Sequence, residues 1–435
     1  MNNSHIEQPV LPARTRNTSV FFGLFNWIPV FLLAYPMLFS PFIAQFSSGD
    51  GSDNNIVASQ SNTFNQLFWI GIFALTMISA GRRLLHIGVI FRNPVVWVLL
   101  GYLTLALLSV TWSPVPAIGF RRFVLQSIIV LCLVISVSLT DDPRLLVSRF
   151  LKLIVVIVLS NTLAVAVLPP TPLGHAGLYA QKNGLGAVMA LAFLFTVYGV
   201  VAHRGWRRAF MAAISFLAFA LLLLSQSKTS IGLSFLMPFV AFTVVGLAYY
   251  FRANAALLLI FSAITVVVAW LFFSAVTRFD FTDLSILLFN DETYTGRTVI
   301  WAFILDVISR APFFGQGYSS FWAIGTDSIV YREAPGFVVS LLQAHNGYLD
   351  VMVETGLAGF ALLVALILAA LISTARAVPL NPQLAFLCYS LMLFVICHNM
   401  LESSWFRGYS LNWLVFLIIA CVPGALSRSL SRTAA

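Results

Sequence analysis

Charge is what this chain has least of. Of its 435 residues only 9% are charged, and only 15 are Asp or Glu. Soluble globular domains carry roughly a quarter charged residues. A water-facing surface cannot be built from this composition, 60% of which is hydrophobic, and the bilayer is its natural solvent. Cysteine is scarce too. Cys132, Cys388, Cys397 and Cys421 lie singly in apolar runs, with neither metal-ligand spacing nor a disulfide framework, and read as small core or lipid-facing side chains. There is no glycosidase-type carboxylate pair, nucleophile elbow, phosphate loop or zinc motif. No metal or cofactor is expected, and no solenoid repeat is present.

What the chain has instead is a series of apolar runs, each near the roughly 17–25 residues that cross a bilayer as a helix. They fall near 20–46, 65–80, 95–111, 121–139, 149–168, 183–201, 208–225, 230–250, 255–275, 350–375, 384–400 and 409–427. The fold expected is therefore all-α: a polytopic membrane protein of about twelve transmembrane helices with one long external loop. The run from Val20 to Phe46 is too long for a signal-peptide core and reads as an uncleaved first span.

The net charge of +9 is a topology signal, not a nucleic-acid footprint. With the N-terminus inside, the short inner loops hold Arg14, Arg16, Arg82, Arg83, Arg92, Arg144, Arg149, Lys152, Arg204, Arg207, Arg208, Arg252, Arg376, Arg428 and Arg432. That is most of the basic residues, and it puts both termini in the cytoplasm. The expected organisation is a cytoplasmic tail (1–19), nine spans (20–275), a folded external loop (276–344), three spans (345–427) and a second tail (428–435).

The loop is rich in Trp, Phe and Tyr, so it is expected to fold. Ile300, Trp301, Ile304, Leu305 and Ile308 recur at helical spacing within Arg297 to Arg310. Thr295-Gly296 precedes and Pro312 follows, as helix boundary signals do. An amphipathic helix lying on the outer face or on the bundle is expected, followed by a flexible turn at Gly315-Gln316-Gly317.

Five features fall on the external side at one depth. They are Gln181 to Gly186 opening the sixth span, Ser225 to Ser230 in a tight turn, Thr295-Gly296-Arg297, His345-Asn346-Gly347-Tyr348, and Glu402 with Arg407. Cations there run against the positive-inside bias and call for a reason. Lys182 and Arg297 lie near helix N-termini, where unpaired N–H groups favour phosphate. Each residue taken alone has an ordinary reading. Lys228 or Lys182 would be solvated, Arg297 paired with Asp291 or Glu292, His345 an interfacial histidine, and Arg121 and Arg122 anchors of the fourth span.

The ordered set Thr295-Gly296-Arg297 with Trp301, Pro312 to Tyr318, His345-Asn346-Gly347-Tyr348-Leu349 and Glu354 to Gly359 resembles the O-antigen ligase and polysaccharide polymerase superfamily. Gln181 to Gly186 and Trp112-Ser113-Pro114 resemble its exopolysaccharide-polymerase branch, so the likeness covers roughly residues 110–360. The resemblance implies a bacterial inner-membrane glycosyltransferase, metal-independent and inverting. It would act on polyprenyl-diphosphate-linked glycan at a periplasmic site, alongside a flippase and a chain-length regulator. The family's two arginines map to Lys228, which keeps the charge but not the guanidinium fork, and to Arg297; its histidine maps to His345.

The chemistry fits that mapping. Cleaving a sugar–diphosphate bond builds negative charge that fixed cations must stabilise, which suits Arg297 and Lys228 with Lys182 assisting. The acceptor hydroxyl needs a base, and His345 is the only external histidine besides His175. Asn183, Asn346, Tyr348, Glu402, Arg407, Arg121 and Arg122 are candidate substrate contacts. A ligase would differ from a polymerase only in its acceptor. A twelve-span transporter would show symmetric halves and a central cytoplasmic loop, and neither is evident. A non-catalytic assembly scaffold is the weakest reading.

Overall fold

The computed structural model describes residues 20–40, 63–289, 294, 296–326 and 328–434. The N-terminal tail with Arg14 and Arg16, the end of the first apolar run, Asp291, Glu292 and Thr295 lie outside the described residues. In chain order the α-helices are α1 (Val20–Phe25), α2 (Ile28–Ala34), α3 (Thr63–Ala80), α4 (Pro94–Ser109), α5 (Pro116–Ser138), α6 (Pro143–Val167), α7 (Lys182–Ala202), α8 (Gly205–Leu224), α9 (Lys228–Phe251), α10 (Ala255–Thr277), α11 (Phe281–Phe289), α12 (Arg297–Arg310), α13 (Ile329–Glu333), α14 (Gly347–Ala375), α15 (Pro382–His398) and α16 (Leu411–Ala434). Among the described residues nine helical stretches are long and apolar enough to cross a membrane, and three shorter apolar helical stretches (Gly23–Phe39, Pro94–Ser109, Pro382–His398) accompany them. The chain is an all-helical, multi-pass membrane protein.

Local chemistry sets where these helices begin. Asn93-Pro94, Asp142-Pro143 and Asn381-Pro382 each place a side-chain acceptor at the cap and a proline in the first turn. The acceptor satisfies an orphan N–H, and proline has no N–H to lose there. All three pairs lie at the pole opposite the long loop, beside the arginines of the short turns.

The core runs through α5, α6, α7, α15 and α16, with Trp413, Tyr102, Tyr389, Phe150 and Phe394 fully enclosed. At the edge stands α10, with 11% of its apolar window buried. An apolar helix that meets so little protein is solvated by lipid chains, which are as apolar as leucine.

The segment 297–344 forms a second cluster of its own. Ile300, Phe303, Ile304, Val307 and Ile308 of α12 pack with Phe321, Trp322, Val330, Val338, Ala344 and Val353. The stripe read from the sequence shared Ile300, Ile304 and Ile308 but took Leu305, which is 52% exposed, in place of Phe303 and Val307. Both stripes obey the 3.6-residue period; contact with α14 selects the Phe303 side.

The turn at Gly315-Gln316-Gly317 is anchored by backbone hydrogen bonds. The N–H groups of Gln316 and Gly317 donate to the carbonyls of Val353 (2.9 Å) and Glu354 (2.8 Å). Those carbonyls are available because α14 is broken at Gly356 (φ +64). Gly315 also has positive φ, and a Cβ on it would stand 2.6 Å from the Glu354 carbonyl carbon. Only glycine at both positions allows this backbone approach.

Candidate active site

The site is built on the turn between α15 and α16. Asn399 fixes that turn. Its Oδ1 accepts from the N–H groups of Ser404 (2.8 Å) and Trp405 (3.2 Å), and its Nδ2 donates to Ser404 Oγ (2.7 Å). Gly347 docks against it, donating to the carbonyls of Asn399 (2.8 Å) and Glu402 (3.0 Å). A Cβ at Gly347 would collide with Asn399 Oδ1. This close approach brings the residues before α14 against Glu402. Among them His345 holds a left-handed backbone, with φ +50. Such strain in a residue other than glycine persists where the surroundings enforce it, as at functional sites.

Glu402 is the centre of the cluster. Its Oε1 accepts from Asn183 Nδ2 (3.0 Å) and pairs with the Arg297 guanidinium (3.3 Å). Its Oε2 meets His345 Nδ1 (3.1 Å) and Gln343 Nε2 (3.4 Å). The four groups come from the first turn of α7, the first residue of α12 and the segment preceding α14. Arg297 is further held by the carbonyls of Leu401 (3.0 Å) and Tyr294 (3.1 Å). Burial favours the neutral acid at Glu402. The hydrogen bond and positive field of His345, with His398 and Arg297, outweigh it and hold the carboxyl below the ordinary glutamate range. An ionised Glu402 only accepts hydrogen bonds, and His345 Nδ1 faces its Oε2.

The remaining candidates distribute around this cluster. Lys182 is half-buried at the first residue of α7. Lys228 is exposed at the first residue of α9, two positions before Ser230. Ser230 Oγ lies 3.5 Å from His398 Nε2, which ties the start of α9 to the end of α15. The Asn346 side chain caps α14 through the N–H groups of Tyr348 (3.1 Å) and Leu349 (3.2 Å). The Tyr348 hydroxyl donates to the Ile396 carbonyl (2.9 Å).

Arg407 does not pair with Glu402; it forms an ion pair with Asp350 (2.9 Å) and donates to the Leu342 carbonyl (3.0 Å). Arg122 donates to the carbonyls of Ser319 (2.6 Å), Trp322 (3.0 Å) and Ala323 (2.8 Å), with Arg121 half-buried beside it.

His345 is not alone with His175 at this pole. His398 ends α15 there, buried, and its Nδ1 lies 3.1 Å from Asn412 Nδ2. The sequence reading placed it within a span and so passed over it. Gln343, Asn399, Asp350 and Glu354 were also missed as site residues. Glu354 alone carried a signal, as part of the Glu354 to Gly359 motif.

The fold and the site define a multi-pass membrane protein whose polar machinery gathers at one pole of the helical bundle. Residues 213–364 match the Wzy_C family, O-antigen ligase. The chain is also 29% identical over 277 residues to the exopolysaccharide production protein ExoQ of Rhizobium meliloti (strain 1021), across 59% of this chain and 60% of that relative. These likenesses agree with the resemblance that the motifs carry, to the O-antigen ligase and ExoQ-like superfamily.

Proposed function

We propose that the chain is a polysaccharide polymerase of the bacterial inner membrane. It moves glycan from a polyprenyl-diphosphate carrier to a hydroxyl of another lipid-linked repeat unit, without metal and with inversion, at a periplasmic site. The observation that carries this is the convergence of Arg297, His345 and Asn183, from separate parts of the chain, on the one carboxylate of Glu402. His345 Nε2 takes the proton as the acceptor oxygen attacks the anomeric carbon. The sugar–diphosphate bond breaks on the opposite face, which inverts the centre. Arg297, with Lys228 and Lys182 at the N-termini of α9 and α7, meets the charge that develops on the departing diphosphate. Glu402 positions Arg297 and His345 rather than touching the reacting atoms.

The Wzy_C description favours a ligase, which would pass finished glycan to lipid A core or protein. The likeness to an exopolysaccharide production protein favours the polymerase. Arg297→Ala should cost at least about 10²-fold in transfer. His345→Ala should cost about 10²–10⁴-fold. Both should keep normal protein levels. Polymer of normal amount from either variant refutes the mechanism. The lipid-linked species that accumulates on deletion decides the acceptor: single repeat units mark a polymerase, long chains a ligase.

A further inference from the structure

Next to the Glu402 cluster opens a cavity of about 450 Å³, with Arg122, Trp322, Gln343, Glu354, Arg407 and Tyr409 among its walls. Gln343 is shared, since its amide also contacts Glu402 and lies 3.3 Å from His345 Nδ1. The two arginines are engaged elsewhere, Arg122 on three carbonyls and Arg407 on Asp350. Glu354 differs. One carboxylate oxygen, Oε2, accepts the Ser319 N–H (2.9 Å). The other holds no hydrogen bond among the described residues, and Glu354 pairs with neither arginine. A wall carboxylate with an open oxygen asks for donors. Sugar hydroxyls supply them, and the half-buried ring of Tyr409 suits the apolar face of a pyranose. The volume falls in the range of small-ligand sites.

We propose that this cavity is the acceptor subsite, taking the hydroxyl-rich terminal sugar of the acceptor glycan, with Glu354 accepting hydrogen bonds from its hydroxyls. The proposal rests on the glycan-transfer reading and adds where the acceptor sits and what recognises it.

The test uses the full chain in lipid nanodiscs. The donor is the lipid-linked repeat unit extracted from the producing cells, and the acceptor is the same glycan freed of its diphosphate, which cannot act as donor. Glu354→Gln should raise the acceptor KM about tenfold, the loss expected of one charge-assisted hydrogen bond, with a smaller change in kcat and in the donor KM. Leu342→Trp fills the cavity from a side chain that is 37% exposed, so the fold tolerates it, and it should do the same. If Glu354→Gln does not fold, Leu342→Trp decides. An unchanged acceptor KM in the folded variants overturns the subsite and leaves glycan transfer standing. A wild-type protein that transfers nothing overturns both.

Discussion

Glu402 links Arg297 and His345, and its own ionisation is what lets it do so. Its carboxyl is held below the ordinary range in the folded chain. Its contribution to stability is therefore complete above the unfolded value and is lost as pH falls through the folded one. Thermal melts in detergent should show wild type more stable than Glu402→Gln at neutral pH, with the gap closing below the ordinary carboxylate range. A gap that stays constant across that window would show that Glu402 is not held ionised. Activity of the same variant should fall while prenyl-diphosphate binding weakens less, because Arg297 keeps its contacts with the carbonyls of Leu401 and Tyr294. Asn346 teaches the converse: a polar residue in a functional motif is engaged in capping α14.

At the scale of elements, the break in α14 matters most. Gly356 frees carbonyls that clamp the turn 315–317, and that turn carries Tyr318 and Ser319 into the cavity wall. A Cβ at Gly356 would overlap the Phe313 backbone, and its φ of +64 disfavours any side chain. Gly356→Ala should therefore destabilise the junction by about 1–3 kcal/mol and reduce transfer. Gly232→Ala and Gly246→Ala, on α9, meet nothing within 4 Å and should leave melting and activity near wild type. A Gly356→Ala melt equal to theirs would show that the break in α14 is not required.

Across the whole molecule the two poles differ in chemistry. The site pole gathers Lys182, Lys228, Arg297, His345 and Glu402. The other holds the Asn-Pro and Asp-Pro helix starts, the Arg83–Asp141 ion pair (2.6 Å) and a hollow of about 300 Å³ lined by Arg92, Arg376 and Arg428. By the positive-inside rule the second pole is expected to face the cytoplasm. Single cysteines introduced at the exposed positions Gln226 and Arg204 test this, with the native cysteines replaced. A membrane-impermeant maleimide should label position 226 from the periplasm and position 204 only after lysis. The reverse pattern would put the proposed site in the cytosol.

The helices were legible because each is written locally. Some twenty apolar residues in a row have one solution in a bilayer, and Asn-Pro or Asp-Pro marks where several begin. Arg297 and His345 were legible as motif residues, since sequence order survives in a motif. Glu402 read only as a candidate substrate contact because nothing near it in sequence announces Arg297, His345 or Asn183. His398 passed for part of a span, and Glu354 for one residue of the Glu354 to Gly359 motif, until folding set them beside partners far away in the chain. Sequence alone determined which segments enter the membrane, because transfer into lipid depends on each segment's own composition. The tertiary structure decided which face of α12 is buried and which carboxylate binds the site together, because side-chain contacts between distant segments exist only once the helices have packed.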